Sequence, residues 1–199
     1  MQLIATELSC DRGGRTVFTG VNFAIAGGQL LEITGPNGSG KSTLLRLIAG
    51  LSEAASGKLV LTNFGNDLTI GQQAHFVAHQ DAIKPALTVA ENLRFWGDFL
   101  GGGDLDKALQ SFGIAPLADY PAALLSAGQK RRLALSRLML VYRFIWLLDE
   151  PTVGLDTASR EQLRGAIRGH ISEGGLVAMA THVPIGIAPD VSLSLGNEP

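Results

Sequence analysis

The 199-residue sequence predicts an α/β fold that carries a small antiparallel β subdomain and a helical insert. Three observations support this prediction. Short apolar segments alternate with helical patterns along much of the chain, as in α/β proteins. Residues 2–25 instead contain two strand-like segments around a glycine-rich turn, which suggests an antiparallel pair. Residues 82–141 have mainly helical patterns, which predicts an insert within the sheet-forming core.

Composition favours one domain over residues 1–199, because 46% of the residues are hydrophobic and can form a sizeable core. Within this domain, the sheet-forming core with its β subdomain is predicted at residues 1–81 and 142–199, and the helical subdomain at 82–141. A net charge of −2 gives no sign of a nucleic-acid partner, whose binding surface would be strongly basic. The single cysteine, Cys10, excludes an internal disulfide, and we see neither a secretory signal nor a membrane-spanning segment.

The first half of the chain is predicted to consist mainly of strands. A glycine-rich turn at residues 11–15 separates the first two strands. Residues 44–49 are predicted to be helical, in a helix whose first turn lies near Lys41. Strands are predicted at residues 2–8, 21–25, 30–34, 58–61 and 74–78.

The second half is predicted to begin with helices and to return to strands. Thr88 can cap a helix over residues 89–96, because Glu91 stands at the capping-box position. Asp104 can cap the next helix, which extends to about Phe112. The remaining predictions are a basic helix at 130–142, a helix at 157–172, and strands at 144–148, 176–180 and 191–195. The continuous apolar run of the first of these strands is typical of burial on both faces.

A glycine-rich segment between a predicted strand and a predicted helix matches G-x-x-x-x-G-K-[ST], the pattern of a phosphate-binding loop. Glycines let backbone N–H groups converge on a phosphate, and the helix directs the positive end of its dipole to the same point. Lys41 would contact the outer phosphates, and Ser42 would offer its hydroxyl to Mg²⁺. The predicted nucleotide-binding residues are Gly35, Pro36, Asn37, Gly38, Ser39, Gly40, Lys41, Ser42 and Thr43. The core is therefore predicted to be that of a P-loop NTPase.

Two carboxylates follow the apolar strand at residues 144–148, at the end where open α/β sheets bind ligands. Asp149 would hold Mg²⁺, directly or through water, and Glu150 would orient and polarise the attacking water. The alternative is that this pair forms only a solvated turn before Pro151.

With further motifs, the chain resembles the ATP-binding cassette of ABC transporters. Residues 125–129 are similar to the family signature, residues 151–156 to the D-loop, Gln80 to the Q-loop and His182 to the switch histidine. The resemblance covers residues from about 30 to 185, in the order typical of the family.

This resemblance implies that the chain hydrolyses ATP, with Glu150 as the general base. It implies that His182 contacts the γ-phosphate, and that Gln80 senses Mg²⁺ and water beside a transmembrane partner. Further implied nucleotide contacts are Ser126, Gly128, Gln129 and Asp156. The signature residues would contact ATP held by a second copy of the chain, so that two cassettes enclose two ATP molecules.

The sequence departs from the family pattern at two positions. Ala127 replaces a signature glycine, and its methyl group fits if φ there is negative. Arg12 occupies the place of the aromatic residue that usually stacks on the base, and a guanidinium can stack on a base plane. Arg12 is therefore a predicted nucleotide contact, and the choice between ATP and GTP stays open. Phe18 is a second candidate, although we expect it in the core.

Residues 124–133 and 146–151 resemble the ATP-binding subunits of cytochrome c maturation systems, also called haem exporter ATPases. This resemblance implies a peripheral location at the cytoplasmic face of the bacterial inner membrane and a separate transmembrane subunit. ATP hydrolysis would drive haem export or release of a haem-loaded chaperone. The helix after Gln80 is the expected docking surface. This helix carries three aromatic residues, Phe95, Trp96 and Phe99. We expect two of the three to fill the core of the insert.

Other classes of function explain the sequence less well. A kinase would share the phosphate loop but would leave residues 125–129 without a purpose. ABC-type ATPases that act on DNA or ribosomes usually carry two cassettes or long coiled-coil insertions, which do not fit within 199 residues. An exporter ATPase for another small substrate is the closest alternative.

Overall fold

The structure, a computed structural model, describes residues 1–62 and 68–196; residues 63–67 and 197–199, which the predicted domain includes, lie outside the described residues. The strands are β1 (Gln2–Arg12), β2 (Arg15–Ala26), β3 (Leu30–Thr34), β4 (Ser56–Thr62), β5 (Ala74–Val77), β6 (Ile145–Asp149), β7 (Leu176–Ala180) and β8 (Val191–Ser194). The α-helices are α1 (Lys41–Ile48), α2 (Val89–Leu100), α3 (Leu105–Ser111), α4 (Ala127–Ser136) and α5 (Thr157–Ser172).

A five-stranded parallel sheet forms the centre of the fold, in the order β5-β6-β7-β3-β8. Every residue of β6 and β7 is buried, which explains why both strands have continuous apolar sequences. Because the strands are parallel, the segments that follow β3, β5, β6 and β7 all leave from the same edge of the sheet. The predicted α/β core is confirmed.

A second sheet contains three antiparallel strands in the order β2-β1-β4. The antiparallel pair predicted for the N-terminal region is confirmed. Both strands are longer than predicted, because β1 ends at Arg12 and β2 begins at Arg15, which leaves two residues in the turn. The strand predicted at residues 58–61 also begins earlier, at Ser56, and pairs with β1.

The helical region confirms both predicted N-caps. Thr88 Oγ1 accepts a hydrogen bond from the Glu91 N–H at 3.2 Å, and the Glu91 carboxylate accepts one from the Thr88 N–H at 2.8 Å. Asp104 caps α3 by accepting from the Lys107 N–H at 2.9 Å. The capping box stabilises α2 by supplying partners for backbone groups that the helix itself leaves free.

The helix predicted at residues 130–142 is displaced toward the N-terminus. It begins at Ala127, because Ser126 and Gln129 form a second capping box, and it ends at Ser136. One turn of 3₁₀ helix, Arg137–Met139, follows it. The predicted boundaries were therefore wrong at both ends.

Three clusters of buried apolar side chains stabilise the fold. The first lies between the two sheets and α1 and includes Leu31 and Leu45; the second packs α5 on the opposite face of the parallel sheet, through Ile167. The third cluster lies within the helical region and includes Leu93 and Leu133. Among the helices of the described ranges, none is both long and apolar enough to span a membrane.

Candidate nucleotide-binding site

The loop between β3 and α1 has a shape that requires glycine. Gly35, Gly38 and Gly40 have φ angles of +137°, +85° and +99°, in the region that disfavours other residues. A Cβ on Gly40 would also lie 2.7 Å from Val17 Cγ1 and 2.9 Å from Phe18 Cδ1. The antiparallel sheet thus packs directly against the loop. Gly40 is the N-cap of α1 and has no side chain to cap the first turn, so the N–H groups there can bind an anion.

The lysine of the loop is held across it. Lys41 is buried, and its Nζ donates to the carbonyl oxygens of Gly35 at 2.8 Å and Pro36 at 3.0 Å. The ammonium charge is therefore fixed beside the N-terminus of α1. Both features attract the phosphate groups of a nucleotide.

Ser42, in the first turn of α1, meets the carboxylate at the end of β6. Its hydroxyl donates to Asp149 Oδ1 at 3.0 Å, and Asp149 is only 2% exposed. The other oxygen, Asp149 Oδ2, is buried and has no hydrogen-bond partner among the described residues. A buried, unpaired carboxylate oxygen beside a hydroxyl fits Mg²⁺, which prefers oxygen ligands.

Glu150 follows Asp149 in a backbone conformation that residues other than glycine seldom adopt, with φ of +47°. Its N–H donates to Ala180 O at 2.9 Å, which fixes it to the end of β7. Its Oε2 accepts a hydrogen bond from the His182 N–H at 3.3 Å. Within the described part of the chain, Glu150 Oε1 is buried without a hydrogen-bond partner, and it lies 3.5 Å from His182 Nε2. One oxygen of this carboxylate therefore accepts a hydrogen bond, and the other faces the His182 ring without one.

His182 connects Glu150 with the phosphate loop. Its Nε2 lies 3.1 Å from Asn37 Oδ1, within hydrogen-bonding distance, while the side chain remains 47% exposed. The structure thus brings together five residues predicted from separate parts of the sequence: Asn37, Ser42, Asp149, Glu150 and His182.

Gln80 and Arg12 are predicted site residues that lie apart from this cluster. Gln80 is exposed just beyond β5, and no hydrogen bond in the described ranges joins it to the phosphate loop or the carboxylates. Arg12 is exposed at the end of β1, opposite Arg15 across the turn. Phe18, the alternative stacking residue, is buried in the core as expected. The roles of Gln80 and Arg12 stay predictions.

The signature residues form the N-terminus of α4. Ser126 is exposed and caps the helix, and a Cβ on Gly128 would lie 2.9 Å from Gly154 O. Ala127 is in the first helical turn without positive φ, so its methyl group fits, as predicted. In residues 1–62 and 68–196, no hydrogen bond joins the signature residues Ser126, Gly128 and Gln129 to the phosphate loop.

Asp156 has a structural function within this chain. Its Oδ1 accepts from the Ser159 N–H at 2.8 Å and caps α5. Hydrogen bonds from Ser159 hold the pKa of Asp156 below its usual value, so the carboxylate stays charged. The predicted nucleotide contact of Asp156 is compatible with this position and stays a prediction.

Sequence reasoning missed Arg131. This residue stands in the predicted basic helix and was given no role there, yet it is buried, and its guanidinium binds the backbone of the segment that carries Glu150. Helical spacing contained the signal, because Arg131 shares a face with Leu135 and Leu138, four and seven positions later, and both are buried.

The expectation for the aromatic residues of α2 was wrong. Only Trp96 packs against the helical core, whereas Phe95 and Phe99 are 42% and 73% exposed. The Trp96 ring also covers the Arg137 guanidinium at 3.7 Å from the ring centroid, and its Nε1 donates to Ala82 O at 3.3 Å. Trp96 is therefore held in place from both sides, which leaves Phe95 and Phe99 at the surface.

Comparison with known families identifies the family of the chain. The family model described as ABC transporter matches residues 18–153, which include the phosphate loop, the signature and both carboxylates. The chain belongs to the ABC transporter family. It is thus an ATPase of the ABC type that binds ATP, as the sequence predicted.

Curated relatives place this ABC ATPase more narrowly. It is 51% identical over 190 residues to the cytochrome c biogenesis ATP-binding export protein CcmA of Mesorhizobium japonicum, with 94% of each chain covered. The protein of the same name from Nitrobacter winogradskyi is 50% identical, with 94% of this chain and 95% of the relative covered. The predicted relation to the ATP-binding subunits of cytochrome c maturation is therefore confirmed.

Solved structures share the fold. The structure of an ATP-binding subunit of an ABC transporter superimposes with a TM-score of 0.84 at 22% identity. The match covers 98% of this chain and 86% of that subunit, and it shows the fold. A dimeric ATP-binding cassette in a post-hydrolysis state, bound to ADP and Pi, has a TM-score of 0.82 at 27% identity, with 97% of this chain and 94% of that chain covered.

Proposed function

We propose that the chain is the ATP-hydrolysing subunit of a membrane complex for cytochrome c maturation. In this proposal, hydrolysis drives haem export or the release of a haem-loaded chaperone. The names of the curated relatives support the pathway. The observation that carries the chemistry is that one carboxylate oxygen of Glu150 accepts no hydrogen bond while the other is held by the His182 N–H beside the phosphate loop.

Nucleotide binding would involve the phosphate loop and the first turn of α1. The N–H groups of this turn and the Lys41 ammonium would bind the phosphates, and the exposed Arg12 would stack on the base. Ser42 and Asp149 would hold Mg²⁺, with Gln80 contributing once the segment after β5 moves closer. Bound there, Mg²⁺ would neutralise charge that develops on the phosphates.

Glu150 would act as the general base. Its Oε2 is fixed by the His182 N–H, so its unpaired Oε1 remains available to accept the proton of an attacking water. Asn37 orients the His182 ring toward the phosphate loop, where the imidazole would contact the γ-phosphate. Because these groups are already placed, little reorganisation is needed when negative charge develops on the phosphate.

A second copy of the chain would complete each site. The exposed N-terminus of α4, with Ser126, would approach ATP held by the partner copy, since a helix N-terminus binds anions well. The separate apolar cluster of the helical region supports treating residues 82–141 as a subdomain that carries the signature. The dimeric post-hydrolysis cassette supports a paired arrangement.

The remaining partner would be a separate transmembrane subunit, which would hold the chain at the cytoplasmic face of the bacterial inner membrane. A groove of about 1050 Å³ lies between the parallel sheet and α2, and Gln80, Trp96 and Phe99 line it. Exposed Phe99 offers an apolar contact to a helix of that subunit. Occupancy of this groove would thereby act on the segment of Gln80.

Replacement of the base tests this function. Glu150→Gln keeps the size of the side chain but removes the proton acceptor, so turnover should fall by about 10²–10⁴-fold while ATP binding persists. The variant should also accumulate as an ATP-bound dimer in sedimentation experiments. Glu173→Gln, at an exposed position after α5, is the matched control. Turnover like that of the wild type in Glu150→Gln would remove Glu150 from the role of base.

A further inference from the structure

The guanidinium of Arg131 is the most highly connected cation among the described hydrogen bonds. Arg131 lies in α4, is 4% exposed and uses all five of its N–H groups. The acceptors are Ala78 O at 2.8 Å, Asp81 Oδ1 at 2.8 Å, Asp149 O at 2.9 Å, Glu150 O at 2.9 Å and Pro151 O at 3.3 Å.

These acceptors belong to two segments that sequence alone does not connect. Three are consecutive backbone carbonyls at the end of β6, including that of Glu150. The other two follow β5 and flank Gln80. Arg131 thus links the helix that carries the signature to the segments of the candidate base and of the Q-loop glutamine.

The backbone of Glu150 requires such support. Its φ of +47° is unfavourable for a residue with a side chain and persists only where the surroundings hold it. The Glu150 N–H is fixed by Ala180 O, and its carbonyl is fixed by Arg131. With both sides of the residue held, the backbone position from which the side chain starts is fixed, and the His182 N–H then holds the carboxylate beside the phosphate loop.

We propose that Arg131 is a positioning residue that keeps Glu150 in the orientation for hydrolysis. It touches no substrate atom and acts through the backbone of residues 149–151. Lysine cannot replace it, because one ammonium provides three donors from a single atom and cannot span five acceptors. This inference rests on the proposed role of Glu150 as the base.

Steady-state ATPase kinetics of Arg131→Gln and Arg131→Lys in the full chain test the proposal. We expect kcat to fall by about 10–100-fold in both variants, as when a reacting group is misplaced by about 1 Å. The KM for ATP should change by less than about threefold, because the phosphate loop and Lys41 are untouched. Unchanged kcat in Arg131→Gln, or full activity in Arg131→Lys, would overturn the proposal.

Arg132 provides a matched control on the same helix. Within the described residues its guanidinium donates two long hydrogen bonds of 3.4 Å, to the Phe112 and Gly113 carbonyl oxygens, and none to residues 149–151. Arg132→Gln should therefore retain kcat within about twofold of wild type. An equal loss in Arg131→Gln and Arg132→Gln would indicate a general effect of charge on α4 and would contradict the proposal.

A double-mutant cycle separates positioning from a purely structural role. If Arg131 acts through Glu150, adding Arg131→Gln to Glu150→Gln should cost less than about twofold in residual turnover. A full additional loss of 10–100-fold would contradict this coupling. Wild-type turnover in Glu150→Gln alone would instead refute the base role and leave the contacts of Arg131 without a catalytic purpose.

Asp81→Ala keeps the test decisive if Arg131→Gln does not fold. This change removes one acceptor, on a partly exposed side chain, and leaves four of the five hydrogen bonds of Arg131. We expect a fall in kcat of a few-fold, with KM unchanged and native thermal unfolding. Wild-type kcat in folded Asp81→Ala would count against the proposal.

Discussion

The Ser42 hydroxyl donates a hydrogen bond of 3.0 Å to Asp149 Oδ1, although 107 positions separate the two residues in sequence. This contact joins the first turn of α1 to the end of β6, so the phosphate loop and the carboxylates form one site. Asp149 keeps its second oxygen unpaired in the described structure. The contact therefore marks the place where Mg²⁺ would bind.

Removal of the Ser42 hydroxyl should weaken Mg²⁺ binding. For Ser42→Ala we expect the Mg²⁺ concentration at half-maximal ATPase activity to rise by about 10–100-fold, the range for the loss of a metal-orienting group. Ser42→Thr keeps the hydroxyl and is the control. Activity of Ser42→Ala should be titrated with Mg²⁺ at fixed ATP, and an unchanged Mg²⁺ requirement would show that Ser42 is not a ligand.

Phe99 tests the docking surface on α2. Because its side chain is 73% exposed, Phe99→Ser should leave thermal stability and the ATPase activity of the isolated chain within about twofold of wild type. Co-purification with the transmembrane subunit should fall several-fold. Tyr120→Ser, an exposed aromatic change elsewhere in the helical region, should leave it intact. Undiminished co-purification of Phe99→Ser would remove this residue from the interface.

The stability of the chain should depend on pH through His75. Burial lowers the pKa of His75 from 6.5 to about 4, and its Nε2 lies 2.8 Å from Val141 O. Above pH 6.5 the imidazole is neutral in both the folded and the unfolded chain, so His75 does not reduce the free energy of unfolding there. Between pH 6.5 and about 4 only the unfolded chain takes up the proton, so stability falls as pH falls, by at most about 3 kcal/mol.

Chemical denaturation from pH 7 to pH 4.5 measures this effect. The free energy of unfolding should fall less steeply with decreasing pH in His75→Gln than in wild type. His79→Gln, at an exposed position, should keep the wild-type slope. Identical slopes in wild type and His75→Gln would show that His75 does not control acid stability.

The shape of the phosphate loop and the position of Asp149 could be predicted because local sequence determines both. The phosphate loop needs glycines where φ is positive, and Gly35, Gly38 and Gly40 are there. The burial of β6 on both faces requires a continuous apolar run, and Asp149 follows from the end of that run. Helix α5 and strands β3 and β7 have the bounds that their patterns predicted.

The remaining features depend on contacts between distant parts of the chain. The pairing of β4 with β1 depends on packing that no local pattern specifies. The role of Arg131 could not be predicted, because its backbone acceptors lie in distant segments and leave no signal in a sequence. The exposure of Phe95 and Phe99 follows from how α2 packs against α3 and α4.

In the proposed dimer, one copy supplies the phosphate loop of each site and its partner supplies the signature. Lys41→Ala disables the phosphate loop, and Ser126→Arg blocks the signature with a large side chain. Each variant alone should be nearly inactive. Mixed dimers contain one intact site, so an equimolar mixture should recover about a quarter of wild-type ATPase activity if the sites act independently. No recovery from two folded variants that form mixed dimers, or full activity of Ser126→Arg alone, would contradict the account.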